Sequence, residues 1–158
     1  MTYSYDTDIA AVQHIPDVEK MLEEVCALTG MGFAAVARVT SERWIACQVL
    51  DRIEFGMKPG DELQIKTTIC DEIRQSARSV YIDHVGAHAE WRTHHTPAMY
   101  GFESYISVPI LLADGSFFGT LCAIDPTERH ISLADSLPLI EAMAGRIAIE
   151  LDRLRALA

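Results

Sequence analysis

Four cysteines and six histidines are the side chains of this 158-residue chain best suited to nucleophilic or metal chemistry. Cys26, Cys47, Cys70 and Cys122 stand far apart and form no CxxC pair, so neither a zinc knuckle nor a thioredoxin-like motif is available. Each lies in an apolar neighbourhood, which predicts reduced, buried thiols. Cys70 differs in one respect. It falls in the first turn of a short predicted helix, where the helix dipole favours a thiolate. Four of the histidines, His84, His88, His94 and His95, gather with Asp83 in one stretch. His84 and His88 would share a face if that stretch were helical, and imidazoles so placed can ligate zinc or, singly, haem iron. No cysteine and no HExxH spacing accompanies them, so the expectation is exposed loop histidines near a pocket mouth and no metal site. Arg74, Arg92, His94 and His95 could offer cations to a small anion, but a net charge of −10 works against it.

The elements that must position these residues follow from composition and period. With 49% hydrophobic and 23% charged residues, the chain can build one sizeable core. Its acidity repels phosphate backbones and anionic bilayers, so neither nucleic acid nor membrane is an expected partner. The longest apolar stretches, at 31–37 and 105–113, fall short of the roughly 20 residues that span a bilayer. Acidic residues stand where a signal peptide carries basic ones, which predicts a cytoplasmic protein. Residues 1–16 read as a flexible segment and 17–158 as one domain. Asp17 should cap a helix carrying Val18, Met21, Leu22, Val25 and Leu28, with Gly30 ending it. Residues 33–39 and 44–50 read as a hairpin, and 62–66 as an edge strand. Thr67 or Thr68 should cap a short helix reaching about Ala77, with a brief strand at 80–82. Residues 83–100 form an irregular stretch with one short helix near Trp91–Tyr100. Residues 104–112 and 117–124 make the clearest hairpin, turning at Asp114-Gly115. A long final helix, capped by Asp135 or Ser136 with Pro138 in its first turn, carries an apolar seam. That seam, Leu133, Leu137, Ile140, Ala144, Ile147, Leu151, Leu154 and Ala158, steps by four and three and reads as pairing with a second copy. Leu139, Met143 and Ile149 form a second strip. Phe33, Trp44, Phe55, Tyr81, Phe102, Tyr105 and Phe118 read as core, and Trp91 as a pocket residue. The order of elements is that of an α+β domain with a mostly antiparallel sheet.

Glu103-Ser-Tyr-Ile-Ser-Val-Pro-Ile110, then Ala113-Asp-Gly, then Phe118-Gly-Thr-Leu-Cys-Ala-Ile-Asp125, resembles the signature hairpin of GAF domains. Thr68-Ile-Cys-Asp-Glu-Ile-Arg74, Val80-Tyr-Ile-Asp83 and the run from Val25 to Val39 are similar to earlier parts of the same family, most like the GAF modules of bacterial sensor histidine kinases. The resemblance implies a GAF/PAS-like six-stranded antiparallel sheet, with helices on one face making a dimer contact and a ligand pocket on the other. Residues 67–74 and 83–105 would wall that pocket, with Thr68, Cys70, Asp83, Trp91, His94, His95, Tyr100 and Tyr105 as ligand-binding candidates. Related photoreceptors attach a bilin through a cysteine beside a histidine, but Thr93-His-His-Thr-Pro97 stands there without one. Covalent bilin is therefore not expected, and the cofactor is left unnamed. Nothing like the Asn-Lys-Phe-Asp-Glu motif of cyclic-nucleotide relatives occurs. Cys70 resembles one cysteine of the free methionine-(R)-sulfoxide reductases, whose catalytic thiol would fall at 88–100, where this chain has none. The expectation is a non-enzymatic sensor of a small molecule, homodimeric through its terminal helices and serving signal transduction. The alternatives are a thiol-dependent reductase and a structural dimerisation module without ligand.

Overall fold

In the computed structural model, which describes residues 5–64, 68–129 and 132–156, helices and strands alternate much as the sequence pattern predicts. The elements are α1 (Asp6–Gln13), α2 (Val18–Thr29), β1 (Phe33–Val39), β2 (Trp44–Asp51), β3 (Glu62–Leu63), α3 (Ile69–Ser76) and β4 (Val80–Ile82), followed by α4 (Ala89–Arg92), α5 (His95–Tyr100), β5 (Ser104–Leu111), β6 (Phe117–Asp125) and α6 (Leu137–Ala156). Single 3-10 turns precede α4 and α6, at Val85–Ala87 and Leu133–Asp135. The strands form one six-stranded sheet in the order β3-β2-β1-β6-β5-β4, and each neighbouring pair is antiparallel.

Alternate side chains of the central strands go to opposite faces. Ala34 and Val36 of β1, Leu121 and Ala123 of β6, and Ile106, Val108 and Ile110 of β5 meet α1, α2 and α6 in one core. Phe33, Ala35 and Ala37 of β1, Cys122 and Ile124 of β6, and Tyr105 of β5 face the other way, into a second cluster covered by α3 and the segment before β5. A bulge interrupts the alternation on β6. Ile110 pairs with Gly119 but Leu111 with Phe117, so Phe118 is the extra residue and turns into the helix-side core. Arg38 secures it: Nη1 donates to the carbonyls of Phe117 and Phe118 at 3.3 and 2.6 Å, and Nε to the buried Asp8 carboxylate at 3.1 Å.

Five expectations need correcting. Within 1–16, expected to be flexible, Asp6–Gln13 is helical, because Asp8 is held by Arg38 and Arg155 and Val12 is fully buried. Asp17 precedes α2 without a side-chain capping bond and pairs instead with Arg146. The irregular stretch holds two short helices, not one. Tyr81 is 42% exposed on an edge strand rather than buried in the core. The heptad seam is spent on the chain's own sheet: Leu133, Ile140, Ala144, Ile147 and Leu151 are all buried in the helix-side core, and Leu137 and Leu154 lean on it. Ala158, Thr67 and most of the expected edge strand beyond Leu63 lie outside the described residues. Gly30 does end α2 in the left-handed conformation.

Two glycines make a matched test of this packing. A Cβ on Gly119 would sit 1.7 Å from the Ala37 carbonyl oxygen, whereas one on Gly145 of α6 would meet nothing within 4 Å. Gly119→Ala should lower stability by about 3 kcal/mol or more, through backbone overlap no side chain can relieve. Gly145→Ala should raise it by roughly 0.5–1 kcal/mol through helix propensity. Urea unfolding midpoints of the two variants decide the matter.

Candidate functional site

A cavity of about 50 Å³ lies between the second face of the sheet and the elements that cover it. Small side chains make room for it, since β1 presents only Ala35 and Ala37 there between Phe33 and Val39. Phe33, Trp44, Tyr105, Cys122 and Ile124 of the sheet line its floor, and Thr68, Ile69 and Cys70 at the start of α3 line one wall. Thr96 and Tyr100 of α5, with Phe102 beyond it, close another side. Phe55 and Met57, from the loop after β2, complete the enclosure beside Leu63. That loop is shaped by Asp51, whose carboxylate accepts from the backbone N–H groups of Ile53, Phe55 and Gly56. Burial alone would raise the Asp51 carboxyl, but these backbone donors hold it below the usual range. Phe55 bridges Phe33 and Tyr100, with ring centroids 5.1 and 6.2 Å apart.

The floor has one polar spot. Cys70 enters from the first turn of α3, and its sulfur lies 3.3 Å from Thr120 Oγ1, 3.5 Å from the Tyr105 hydroxyl and 3.9 Å from Ser107 Oγ. Cys122 lines the same floor, its Sγ–H donating to the Ala35 carbonyl at 3.7 Å. Strand register assembles this group, because Ser107 pairs with Cys122 across β5 and β6, and Thr120 sits two residues back on the same face. The neighbouring Cys122 thiol chiefly draws the Cys70 thiol down, to about 6, against the opposing effect of burial, with Thr120, Tyr105 and Trp44 adding to it. The neighbouring Cys70, with burial, pushes Cys122 well up. Burial and the neighbouring Cys70 push Tyr105 up. Cys70 is thus the more acidic of the two thiols. Cys26 and Cys47 belong to the helix-side core, where burial raises both, Cys47 to about 12. Trp44 is 3% exposed and its Nε1–H has no acceptor at hydrogen-bonding distance among the described residues, although the indole lies near enough to favour a Cys70 thiolate.

Of the eight candidate residues, Thr68, Cys70, Tyr100 and Tyr105 line the cavity and four do not. Asp83 accepts from Leu133 N at 2.9 Å, tying the end of β4 to the approach to α6. Trp91, expected as a pocket residue, leans on the outside of the cover, its ring 5.1 Å from that of His94. His94 caps α5, accepting from Thr96 N at 3.1 Å through Nδ1, while Nε2 points to Glu72 of α3 at 3.3 Å. That makes His94 the clasp between the two covering helices. His95 is exposed and stacks on it at 4.5 Å. His84 and His88 flank a single 3-10 turn in extended conformations and share no helical face. Among the described residues no three metal-ligating side chains come together. The missed residues are chiefly Trp44 and Cys122. Their common face follows from the strand alternation of 44–50 and 117–124, which the sequence does display.

The sequence profile of the GAF domain matches residues 18–151, and the chain belongs to the GAF domain family. No curated protein sequence matches it. Among solved structures, the GAF region of a membrane protein from Geobacter sulfurreducens, itself described as putative, is similar at 19% identity, covering 94% of this chain and 99% of that one with a TM-score of 0.67. The GAF domain of a two-component sensor histidine kinase from Bacillus halodurans is 12% identical, over 90% of this chain and 97% of that one (TM-score 0.66). A free methionine-R-sulfoxide reductase from Neisseria meningitidis, solved with its substrate, is 17% identical, over 95% and 87% (TM-score 0.65). At these identities the likeness is one of fold. GAF domains are mostly regulatory sensor modules. Among the described residues, no helix is long and apolar enough to cross a membrane.

Cys70 is faced by Cys122 and Tyr105 as its titratable neighbours, with no formal charge among the causes of its shift. The ultraviolet thiolate band of the reduced protein should therefore fade as the pH drops through about 6. Cys70→Ser should lack this step. A band that appears only in the alkaline range of an ordinary thiol would contradict the assignment.

Proposed function

We propose that this GAF domain is a regulatory sensor whose small-molecule ligand occupies the cavity and biases a contact between terminal helices of two copies. One observation carries the reading: an aromatic-walled cavity holds a buried indole N–H that finds no acceptor among the described residues. Leaving such a donor unmatched costs about 1–3 kcal/mol, which a ligand oxygen or ring nitrogen recovers. Pockets for drug-sized ligands run to roughly 300–1,000 Å³. The ligand is therefore either a fragment of a few heavy atoms or one that pushes α5 and the loop carrying Phe55 outward. The ligand candidates are then Thr68, Cys70, Tyr100 and Tyr105, with Trp44 as the polar anchor. On the opposite face, Leu139 and Ile149 of α6 are 53% and 67% exposed, and they replace the buried seam as the surface for a second copy. A ligand alters that contact only through different affinities for two helix arrangements. The reading takes the protein as cytoplasmic, without nucleic-acid or membrane partners, on the strength of its −10 charge.

A second reading, a thiol-dependent sulfoxide reductase, is favoured by the Cys70–Cys122 pair and by the fold shared with the Neisseria enzyme. Multiple turnover of free methionine sulfoxide, abolished in Cys70→Ser, would establish it over the sensor.

Calorimetry against a panel of small apolar compounds bearing one hydrogen-bond acceptor tests the sensor directly. At least one should raise the melting temperature, and Trp44→Phe should weaken its binding about five- to tenfold, one hydrogen bond's worth. A panel with no effect on stability would sink the ligand reading. For the second surface, Leu139→Glu with Ile149→Glu should turn a dimer into a monomer by light scattering without loss of helicity. A wild-type monomer at high concentration would remove that surface from the proposal.

A further inference from the structure

We propose that Cys70 and Cys122 form an oxidation site on the cavity floor, where a small hydroperoxide converts the two thiols into a disulfide joining α3 to β6. The inference uses the cavity of the sensor reading but rests only on its admitting a molecule with two adjacent oxygens, not on its holding a metabolite.

Three observations converge on it. The two cysteines come from different elements, the first turn of α3 and the middle of β6, and line the same cavity floor. There Cys70 Sγ is 3.9 Å from the hydroxyl of Ser107, the residue paired with Cys122 across β5 and β6. The donors around Cys70 are those peroxide cleavage requires. The Thr120 and Tyr105 hydroxyls, 3.3 and 3.5 Å from the sulfur, can orient the attacked oxygen and hydrogen-bond the departing one. Independently, the indole N–H of Trp44, in a residue only 3% exposed, lines the same space without an acceptor among the described residues, and a peroxide oxygen would supply one. The cavity of about 50 Å³ exceeds the roughly 10–15 Å³ that admits one water, so a two-oxygen molecule fits without rearrangement. Cys26 and Cys47 lie across the sheet in the helix-side core, out of reach of this space, and serve as internal controls.

The chemistry balances. The Cys70 thiolate attacks the near oxygen of the hydroperoxide, a sulfur–oxygen bond forms and the oxygen–oxygen bond breaks. The departing alkoxide, or hydroxide from hydrogen peroxide itself, takes up the proton that Cys70 released on ionising. Cys122 then attacks the Cys70 sulfenic acid, the sulfur–sulfur bond forms, and hydroxide leaves with the Cys122 proton as water. Two thiols lose two electrons and two protons, and the peroxide becomes an alcohol (or water) plus water. The product locks α3 to the sheet across the floor, so oxidation and ligand occupancy would compete for one space.

The test uses the full chain, reduced and freed of reductant, with hydrogen peroxide added in stoichiometric amount. Mass spectrometry after alkylation in denaturant should show two thiols consumed, with Cys70 and Cys122 peptides joined and Cys26 and Cys47 still alkylated. Cys122→Ser should stop at a sulfenic acid on Cys70, trapped by dimedone, and Cys70→Ser should consume peroxide at least about tenfold more slowly. The wild-type peptide map needs no variant, so a variant that fails to fold leaves the proposal testable. Four intact thiols after peroxide, or a bridge involving Cys26 or Cys47, would overturn it. A protein that forms the bridge but binds no panel compound loses the sensor reading and keeps this one; the reverse result does the opposite.

Discussion

Because β1, β6 and β5 are covered on both faces, most of their apolar residues belong either to the helix-side core or to the cavity side, and a one-residue slip would exchange the two. Register is therefore the constraint on which the molecule depends. It is pinned by the extra residue Phe118, which β6 accommodates only because Gly119 lets the Ala37 carbonyl approach closely. The bulge frees carbonyls that Arg38 satisfies, and the buried Asp8 carboxylate holds Arg38 in place. One charged pair thus links α1 to the centre of the sheet. Cutting either partner would leave the other charge poorly solvated, which costs more than the pair contributes while intact.

The same register builds the polar spot of the cavity. Thr120, Cys122 and Ser107 share a face by strand alternation and pairing, and Cys70 descends on them from α3. Elsewhere the walls are mostly aromatic or aliphatic, with Thr68 and Thr96 the exceptions. In such surroundings a hydrogen bond to sulfur is electrostatically stronger than in water. That explains why Cys70 is drawn down although it is as deeply buried as Cys47, which burial pushes up. Donors decide the sign, and burial sets how much they matter.

Local signals made the hairpins, the Gly30 helix end and the Asp114-Gly115 turn legible in the sequence, since each depends on residues adjacent in the chain. What failed to be legible was non-local. The helix α1 has a weak apolar period of its own and is held by Arg38, thirty positions on from Asp8, and by Arg155. The Leu133–Leu154 spacing marks one continuous stripe. Period alone does not say whether such a stripe meets a second helix or its own sheet, and here the sheet takes it. Trp91 and His94 sit in the right stretch but cap and buttress the cover. Trp44 lies in the core, as its residue type suggests, and it lines the cavity as well.

The two faces are not independent. On β1, Ala35 and Ala37 border the cavity side while Ala34 and Val36 pack under the helices, and on β5 Tyr105 and Ile106 divide in the same way. Interiors packed to crystal-like density transmit displacement rather than absorb it. A molecule or a disulfide that shifted β6 at Cys122 would therefore move Leu121 and Ala123 against the helix-side core, where α6 lies on the same cluster. On α6 itself the seam is committed to the sheet, while Leu139 and Ile149 stand exposed. The sheet is the one element common to both events, and a signal passing between them has to be carried by its backbone.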